Sequence, residues 1–392
     1  MSKIALLLSG GVDSSVALHM LCQTGVKPDC FYIHIGPDED DSYSCTSEED
    51  VEMASAVAHK YGCKFEIVDL HKEYWDKVVT YTMNTIKKGY TPNPDVMCNT
   101  LIKFGAFYKK IGHNYDYIAT GHYATRVGYT ITPLPNNAII EFHDNDVINK
   151  PVDWNNAIEW WICPAKDPVK DQVDFIANIN TFFVPISKMI FPVGNLMKDE
   201  VRKIAEENHL VNAKRKDSQG ICFLGKINYN DYIRKYLGNN PGEIIDIDNN
   251  KWVGMHYGYW FYTIGQRKGL GLSGGPWYVV AKDVKNNIVY VSNNAERNAE
   301  TKFKIGNINW LTRNLINDYK DLNENIDSDI ICNITFKIRH SPETYSGKLK
   351  YINDNDSLVI ICDNPITVAP GQYCILYDDT YSRCYGCGEI TY

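Results

Sequence analysis

Apolar and polar positions divide the chain into two differently patterned parts. Ile4–Leu8 is an unbroken apolar run of strand length. Behind it Val16, Ala17, Met20 and Leu21 recur at helical spacing, which predicts a strand, a turn, and a helix over Ser14–Cys22 ending near Gly25. Asp29–Ile35, Lys64–Leu70 and Tyr115–Thr120 read as further strands. Between them, Val51, Ala54, Ala58 and Tyr61 share one helical face behind the overlapping capping boxes of Thr46–Asp50, and Glu73 to Lys87 reads as another helix. Strands alternating with helices predict a parallel sheet with crossover helices, and ligands of such sheets bind beyond the carboxyl ends of the strands. Residues 127–165 break the rhythm with Pro133, Pro135, Pro151 and two asparagine pairs. Ile131, Ile139, Ile140 and Phe142 predict a short hairpin within this insertion. The alternation resumes near Lys170, with a helix over Asp199–Asn208. A short helix at Tyr229–Leu237 and a glycine-rich aromatic segment then lead into strands: Trp277–Ala281, Ile288–Ser292, Phe303–Trp310, Ile330–Ile338, Tyr345–Ile352, Leu358–Cys362 and Tyr373–Tyr377. Short strands at regular spacing predict a small closed barrel.

Composition narrows the class without changing that picture. The 392 residues suffice for two or three domains, and 44% hydrophobic with 22% charged content is ordinary for a soluble globular protein. No apolar stretch is long enough to span a membrane, and Met1-Ser2-Lys3 leads into a strand without a secretory or transit signature, so a cytoplasmic chain is expected. A net charge of −8 argues against nucleic-acid binding by the whole surface but leaves room for a local basic cleft. Twelve cysteines in a chain of this length predict buried thiols rather than a disulfide scaffold.

Ser9-Gly10-Gly11-Val12-Asp13-Ser14-Ser15 joins the first strand to the first helix. Two glycines allow close backbone approach, Ser14 or Ser15 can cap the helix, and a helix N-terminus suits phosphate. In Thr91-Pro92-Asn93-Pro94-Asp95-Val96-Met97-Cys98-Asn99, two prolines fix a rigid approach. One helical turn then brings Asp95 and Cys98 to one face, with the thiol near a helix start. Lys214-Arg215-Lys216 precedes the flexible Ser218-Gln219-Gly220 and Cys222. Two candidate reactive cysteines far apart in sequence point to sulfur chemistry, in which one holds a transferable sulfur and the other resolves it by thiol exchange. A zinc site is disfavoured, because Cys384 and Cys387 form the only close pair and read as ordinary thiols of a C-terminal turn. Lys166–Gln172, Gly265-Gln266-Arg267-Lys268-Gly269-Leu270-Gly271 beside Trp260, Phe261 and Tyr262, and Phe336–His340 combine cations with aromatics, as RNA recognition does.

Together these segments resemble the tRNA-specific 2-thiouridylases of the ATP-pyrophosphatase superfamily. The Ser9–Ser14 loop alone would also suit other adenylating ligases. The specific match is its combination with Pro92–Asn99, Ala119-Thr120-Gly121-His122-Tyr123, Lys170-Asp171-Gln172, Asp217–Phe223 and Gly265–Gly271, in order along nearly the whole chain. The resemblance implies an α/β fold: a parallel-sheet ATP-pyrophosphatase (adenine nucleotide alpha hydrolase-like) domain at 1–227, a small central tRNA-contacting domain at 228–293, and a C-terminal β-barrel at 294–392. It implies ATP and Mg²⁺, with Leu7, Leu8, Ser9, Gly10, Gly11, Val12, Asp13, Ser14, Ile33 and Gly121 at the nucleotide. Asn93, Pro94 and Asp95 would meet the target uridine at position 34, with Asp95 also serving as acid–base or orienting group. Cys98 would be the nucleophile and Cys222 the persulfide carrier, leaving a transient Cys98–Cys222 disulfide. Lys170, Asp171, Gln172, Arg339 and His340 would contact tRNA. The implied partners are the anticodon loops of Lys, Glu and Gln isoacceptors and a persulfide donor protein, and a monomer is expected. The chain departs from the family pattern at Val173-Asp174-Phe175, where Ser-Tyr-Phe is frequent, in the length of the 127–165 excursion, and at His340, where tyrosine is frequent. Two other readings remain: an adenylating ligase joining an amine to an activated carbonyl, and a non-catalytic tRNA-binding protein that senses nucleotide.

Overall fold

The computed structural model describes residues 2–36, 45–130, 141–142, 158–217, 229–322, 330–352 and 357–391. The apolar runs of the N-terminal half form five parallel strands: β1 (Ile4–Leu7), β2 (Asp29–His34), β3 (Phe65–Asp69), β4 (Tyr117–Thr120) and, later in the chain, β8 (Met189–Ile190). Their order is β3-β2-β1-β4-β8. All four residues of β1 are buried, as are all four of β4, which is why both read as unbroken apolar runs rather than alternations. Helices Val12–Gln23 and Cys45–Lys60 make the first two crossovers. The expected helix from Glu73 starts at His71 and runs through Trp75–Val79 into Thr80–Lys87. Strand order reverses between β1 and β4, so the crevice for a ligand opens above those two strand ends.

The insertion does not stand apart. β5 (Thr125–Thr130), β6 (Glu141–Phe142) and β7 (Ile158–Cys163) continue a sheet made by the far end of the chain. The Ile131, Ile139 and Ile140 positions of the predicted hairpin lie outside the described residues. Sequence patterning missed β9 (Gly242–Asp246) and β10 (Lys251–His256), which form an antiparallel pair beside β12 (Ile288–Ser292) and β11 (Tyr278–Asp283). Glycine and exposed aromatics in β10 hide its alternation: Trp252, Met255 and the following Tyr257 are all exposed.

The last six strands are β13 (Glu300–Trp310), β14 (Ile330–Lys337), β15 (Tyr345–Ile352), β16 (Ser357–Ile366), β17 (Tyr373–Tyr377) and β18 (Cys384–Thr391). They close into a barrel in the order β13-β16-β15-β14-β17-β18, sealed by the β13–β18 pairing. Cys384 and Cys387 sit on β18, fully buried, rather than in a terminal turn. Burial pushes both thiols up, which disfavours the thiolates zinc requires. β7 pairs with β18 at Ile162 and Cys384, so the insertion joins the catalytic sheet's chain to the barrel. Among the described residues, no helix is long and apolar enough to cross a membrane.

Candidate active site

The first helix begins with Gly11 at its N-cap, a residue with no side chain to offer. Ser14 and Ser15 are not the caps the sequence suggests. They lie in the first turn, and their hydroxyls donate back to Gly11 O at 3.1 and 3.0 Å. Side chains thus leave the helix N-terminus to a ligand, and its amides and dipole favour phosphate. Ser9 closes the turn from the other side, its N–H donating to Ser14 Oγ at 3.2 Å. Gly10 takes φ +77°, and a Cβ there would meet Asp50 O at 2.4 Å. Gly121, straight after β4, also packs tightly: a Cβ would lie 2.6 Å from Ser14 N and 2.8 Å from Ser14 Cα. The two strand-end loops therefore meet backbone to backbone at the crevice. Leu7 and Leu8 lead into it, and Ile33 lies near the end of the neighbouring β2.

Residues outside the expected nucleotide-binding set hold this loop. Tyr123 OH donates to Asp13 Oδ1 at 2.9 Å, and Lys198 Nζ reaches the same oxygen at 2.6 Å. Asn212 Nδ2 donates to Gly10 O at 2.7 Å and to Ser15 Oγ at 2.8 Å, and Arg215 ties Gly10 O to Asp50. Of the three consecutive cations, only Arg215 turns inward; Lys214 and Lys216 are exposed. A cation at the start of an amphipathic helix reads as surface, and nothing local tells that Lys198 reaches back to Asp13. His122, also on this loop, is buried, with Nδ1 2.8 Å from Thr120 Oγ1. Burial holds the ring's pKa well below its ordinary value, so it stands neutral.

Asp217 is the hub of the charges. Its Oδ2 accepts from Lys170 at 2.7 Å, and its Oδ1 faces Lys198 at 2.9 Å and Arg202. Burial pushes this carboxyl up, but hydrogen bonds from Lys170 and Lys198 and their charges outweigh it and hold it down at about 2. A folded-state pKa below the ordinary 3.8 means the stabilisation is complete above that value and is lost as pH falls toward 2. Acid unfolding of Asp217→Asn beside the unaltered protein is expected to show a gap whose pH-dependent part, about 2 kcal/mol at neutral pH, closes between about pH 4 and 2. Cys222 and the preceding Ser218-Gln219-Gly220 lie outside the described residues, which end here at Asp217.

The Cys98 stretch folds as its prolines dictate. Pro94 starts a helix that runs to Cys98, and Asn93 caps it, Oδ1 accepting the Val96 N–H at 3.2 Å. Asp95 and Cys98 share this one turn as expected, and Cys98 is a reduced thiol only 1% exposed. The helix packs against Val173–Ile176, whose preceding residue Gln172 binds the backbone of Tyr123, N–H to O at 2.8 Å and Oε1 from N–H at 3.0 Å. A short path of contacts thus runs from Asp13 through Tyr123 and Gln172 to the thiol-bearing helix.

The residues implied as tRNA contacts divide. Lys170 and Gln172 are engaged as described. Asp171 is buried at 1% and paired with Lys337 of β14 at 3.3 Å. Arg339 is exposed and pairs with Glu343 at 2.9 Å. Two of the departures from the family pattern meet: His340 Nδ1 lies 3.0 Å from Asp174 Oδ2, and the imidazole lies against Phe175 at 4.7 Å between ring centroids. The Asp174 hydrogen bond raises the pKa of His340 against the effect of burial. Its ion-pair stabilisation is therefore complete below 6.5 and lost as pH rises through the higher folded value. Asp174→Asn is expected to move the His340 titration, followed by NMR, back down.

A parallel sheet with an open helix N-terminus at its topological switch point, and a thiol helix tied to the same loop, define a nucleotide-dependent enzyme domain carrying two β-rich modules. Comparison with known proteins agrees. Residues 2–226 match the tRNA methyl transferase HUP domain, 230–293 the tRNA methyl transferase PRC-barrel domain, and 300–390 the aminomethyltransferase beta-barrel domain. The chain is 49% identical over 391 residues to the tRNA-specific 2-thiouridylase MnmA 1 of Bacteroides thetaiotaomicron, covering 99% of each. It is 47% identical over 396 residues to the MnmA of Porphyromonas gingivalis, again at 99% of each, and 48% identical over 394 residues to that of Parabacteroides distasonis, at 99% of this chain and 98% of the relative. The chain belongs to the tRNA-specific 2-thiouridylase family of tRNA sulfurtransferases.

Proposed function

We propose that this protein replaces the 2-oxo group of uridine 34 in tRNA by sulfur, using ATP and releasing AMP and pyrophosphate. The observation that carries the reading is the uncapped helix N-terminus at Gly11, closed over by Gly121 and linked through Asp13, Tyr123 and Gln172 to the Cys98 helix. Such an N-terminus holds a leaving pyrophosphate by positioning and electrostatics. The uridine oxygen attacks the α-phosphate and pyrophosphate departs. Cys98 attacks the inner sulfur of a Cys222 persulfide, freeing sulfide to add at C2. AMP then leaves, and the Cys98–Cys222 disulfide that remains awaits reduction. Asn93, Pro94 and Asp95, at the mouth of the thiol helix, receive the flipped base, with Asp95 as acid–base or orienting group.

Mg²⁺ fits as an ion that arrives on the phosphates. Among the described residues, no group of three acidic, histidine or cysteine side chains could hold a metal alone. Asp13, a third exposed beside the loop, can supply the single carboxylate such an ion needs. Bound there, it would neutralise charge on the leaving pyrophosphate. The finer assignments follow the resemblance: domains at 1–227, 228–293 and 294–392, anticodon loops of Lys, Glu and Gln isoacceptors, a protein persulfide donor, and a cytoplasmic monomer.

The test incubates the pure protein with bulk tRNA, ATP and glutathione persulfide, then digests the tRNA and mass-analyses its nucleosides. Expected are 2-thiouridine and one pyrophosphate per thiolation, with no pyrophosphate when tRNA is omitted. Release of pyrophosphate without tRNA would speak instead for an adenylating ligase with another acceptor.

A further inference from the structure

The stretch that presents Cys98 is poor in backbone donors where it enters the site, because Pro92 and Pro94 have no N–H. Its carbonyls are held from the other end of the chain. Gln372, just before β17, donates Nε2 to Thr91 O at 3.1 Å and to Pro92 O at 3.0 Å. The Thr91 N–H donates to Pro370 O at 2.8 Å. Gly371 takes φ +89°, and a Cβ there would sit 2.9 Å from both Thr91 O and Tyr90 Cβ, so this turn packs directly on the loop backbone. Tyr373, the residue after Gln372, places its OH 3.4 Å from Met97 Sδ, one position before the thiol. The turn is itself fixed: the Gln372 N–H donates to Ala369 O at 3.2 Å, and Gln372 O accepts from Ile390 N–H of β18 at 2.8 Å.

We propose that Gln372 is a positioning residue for Cys98: the barrel turn at Pro370–Tyr373 grips the approach at Thr91–Pro92, touches the helix again at Met97 beside the nucleophile, and sets where its thiol stands. The inference rests on the reading of Cys98 as nucleophile. One amide reaching two successive carbonyls fixes the direction as well as the place of the chain. A displacement of about 1 Å at a reacting atom is enough to cost on the order of 100-fold in rate. The C-terminal barrel is then part of the catalytic framework, not only an appended RNA-binding module.

Gln372→Glu and Gln372→Ala, assayed beside the unaltered protein with tRNA, ATP and glutathione persulfide, test this. A second arm follows N-ethylmaleimide labelling of the Cys98 peptide by mass, and needs no turnover. Both variants are expected to lose roughly 10- to 100-fold in kcat with KM for tRNA and ATP held within about twofold. Cys98 should label faster in both. Near pH 8 the Glu variant should be the worse, since its carboxylate faces two carbonyls. Near pH 5.5 it should partly recover as a neutral acid able to donate, and the Ala variant should not. Unchanged kcat in the isosteric Glu variant would overturn the proposal. So would a KM for tRNA raised about tenfold with kcat and Cys98 labelling unchanged. If the unaltered protein makes no 2-thiouridine, it is the functional reading that falls, and unchanged Cys98 labelling in the Ala variant would still refute the grip.

Discussion

Cys98→Ser is expected to cut persulfide-supported 2-thiouridine formation by roughly 1000-fold or more, about 4 kcal/mol of barrier, while leaving tRNA-dependent pyrophosphate release near its normal rate. The two readouts separate because the two proposed jobs fall to different residues. The proposed phosphate site comprises Ser9–Ser14, Gly121 and the side chains that brace them, and Cys98 is absent from every contact described there. A serine hydroxyl fills the 1%-exposed site with little change in volume but does not attack a persulfide, so the sulfur relay stops after adenylation. Cys222→Ser should behave alike with persulfide. Inorganic sulfide at high concentration is expected to restore part of the product in both variants, since it bypasses the relay and meets the activated base directly. Full persulfide-supported activity in either variant would rule out a two-cysteine mechanism. Loss of pyrophosphate release in Cys98→Ser would place the thiol in the adenylation step.

The sequence was legible where chemistry is local. Buried parallel strands read as apolar runs, so β1 and β4 stood out, and with them the loops at their carboxyl ends. Pro92 and Pro94 announced a rigid approach, and the observed helix begins where that rule puts it, at Pro94. What stayed hidden is what depends on distant encounters. Lys198 lies 185 residues from the Asp13 it binds, and Gln372 lies 281 residues from Thr91. An isolated lysine or glutamine carries no periodicity, so spacing arguments are silent about both. β10 was hidden for a different reason. Alternation marks a strand only when one face is buried, and there Trp252 and Met255 are exposed while Gly254 leaves room for Leu272. The His340–Asp174 contact shows the same limit from the other side. Nothing in the sequence couples these two departures from the family pattern, and the fold places Asp174 and His340 3.0 Å apart.

Lys337→Met is expected to lower the apparent stability by about 3–5 kcal/mol near neutral pH, because it strands a buried carboxylate. Asp171 and Lys337 are each 1% exposed. Asp171 also accepts the Ala165 N–H at 3.0 Å and the Tyr381 hydroxyl at 3.2 Å, but neither neutral donor replaces a cation. Burial already pushes this carboxyl above its ordinary value, with Lys337 pulling it back. Removing the lysine raises it further, and protonation then sets the ceiling on the loss. The sign follows: a group whose folded pKa is raised is least costly below its unfolded value and most costly once pH exceeds the folded one. Urea unfolding should therefore show a wide gap between variant and unaltered protein near pH 8 and a narrow one near pH 4.5. Lys337→Met combined with Asp171→Leu removes both charges and should recover most of the loss, the usual behaviour of a buried pair replaced as a unit. The pair joins β14 of the barrel to the residue between Lys170 and Gln172, so the single variant should also loosen the anchors of Asp217 and Tyr123 and slow thiolation. A direct tRNA contact at Asp171 predicts something else: weaker tRNA binding in Asp171→Asn with stability untouched. A buried clasp predicts the reverse, and the two measurements on these variants decide between them.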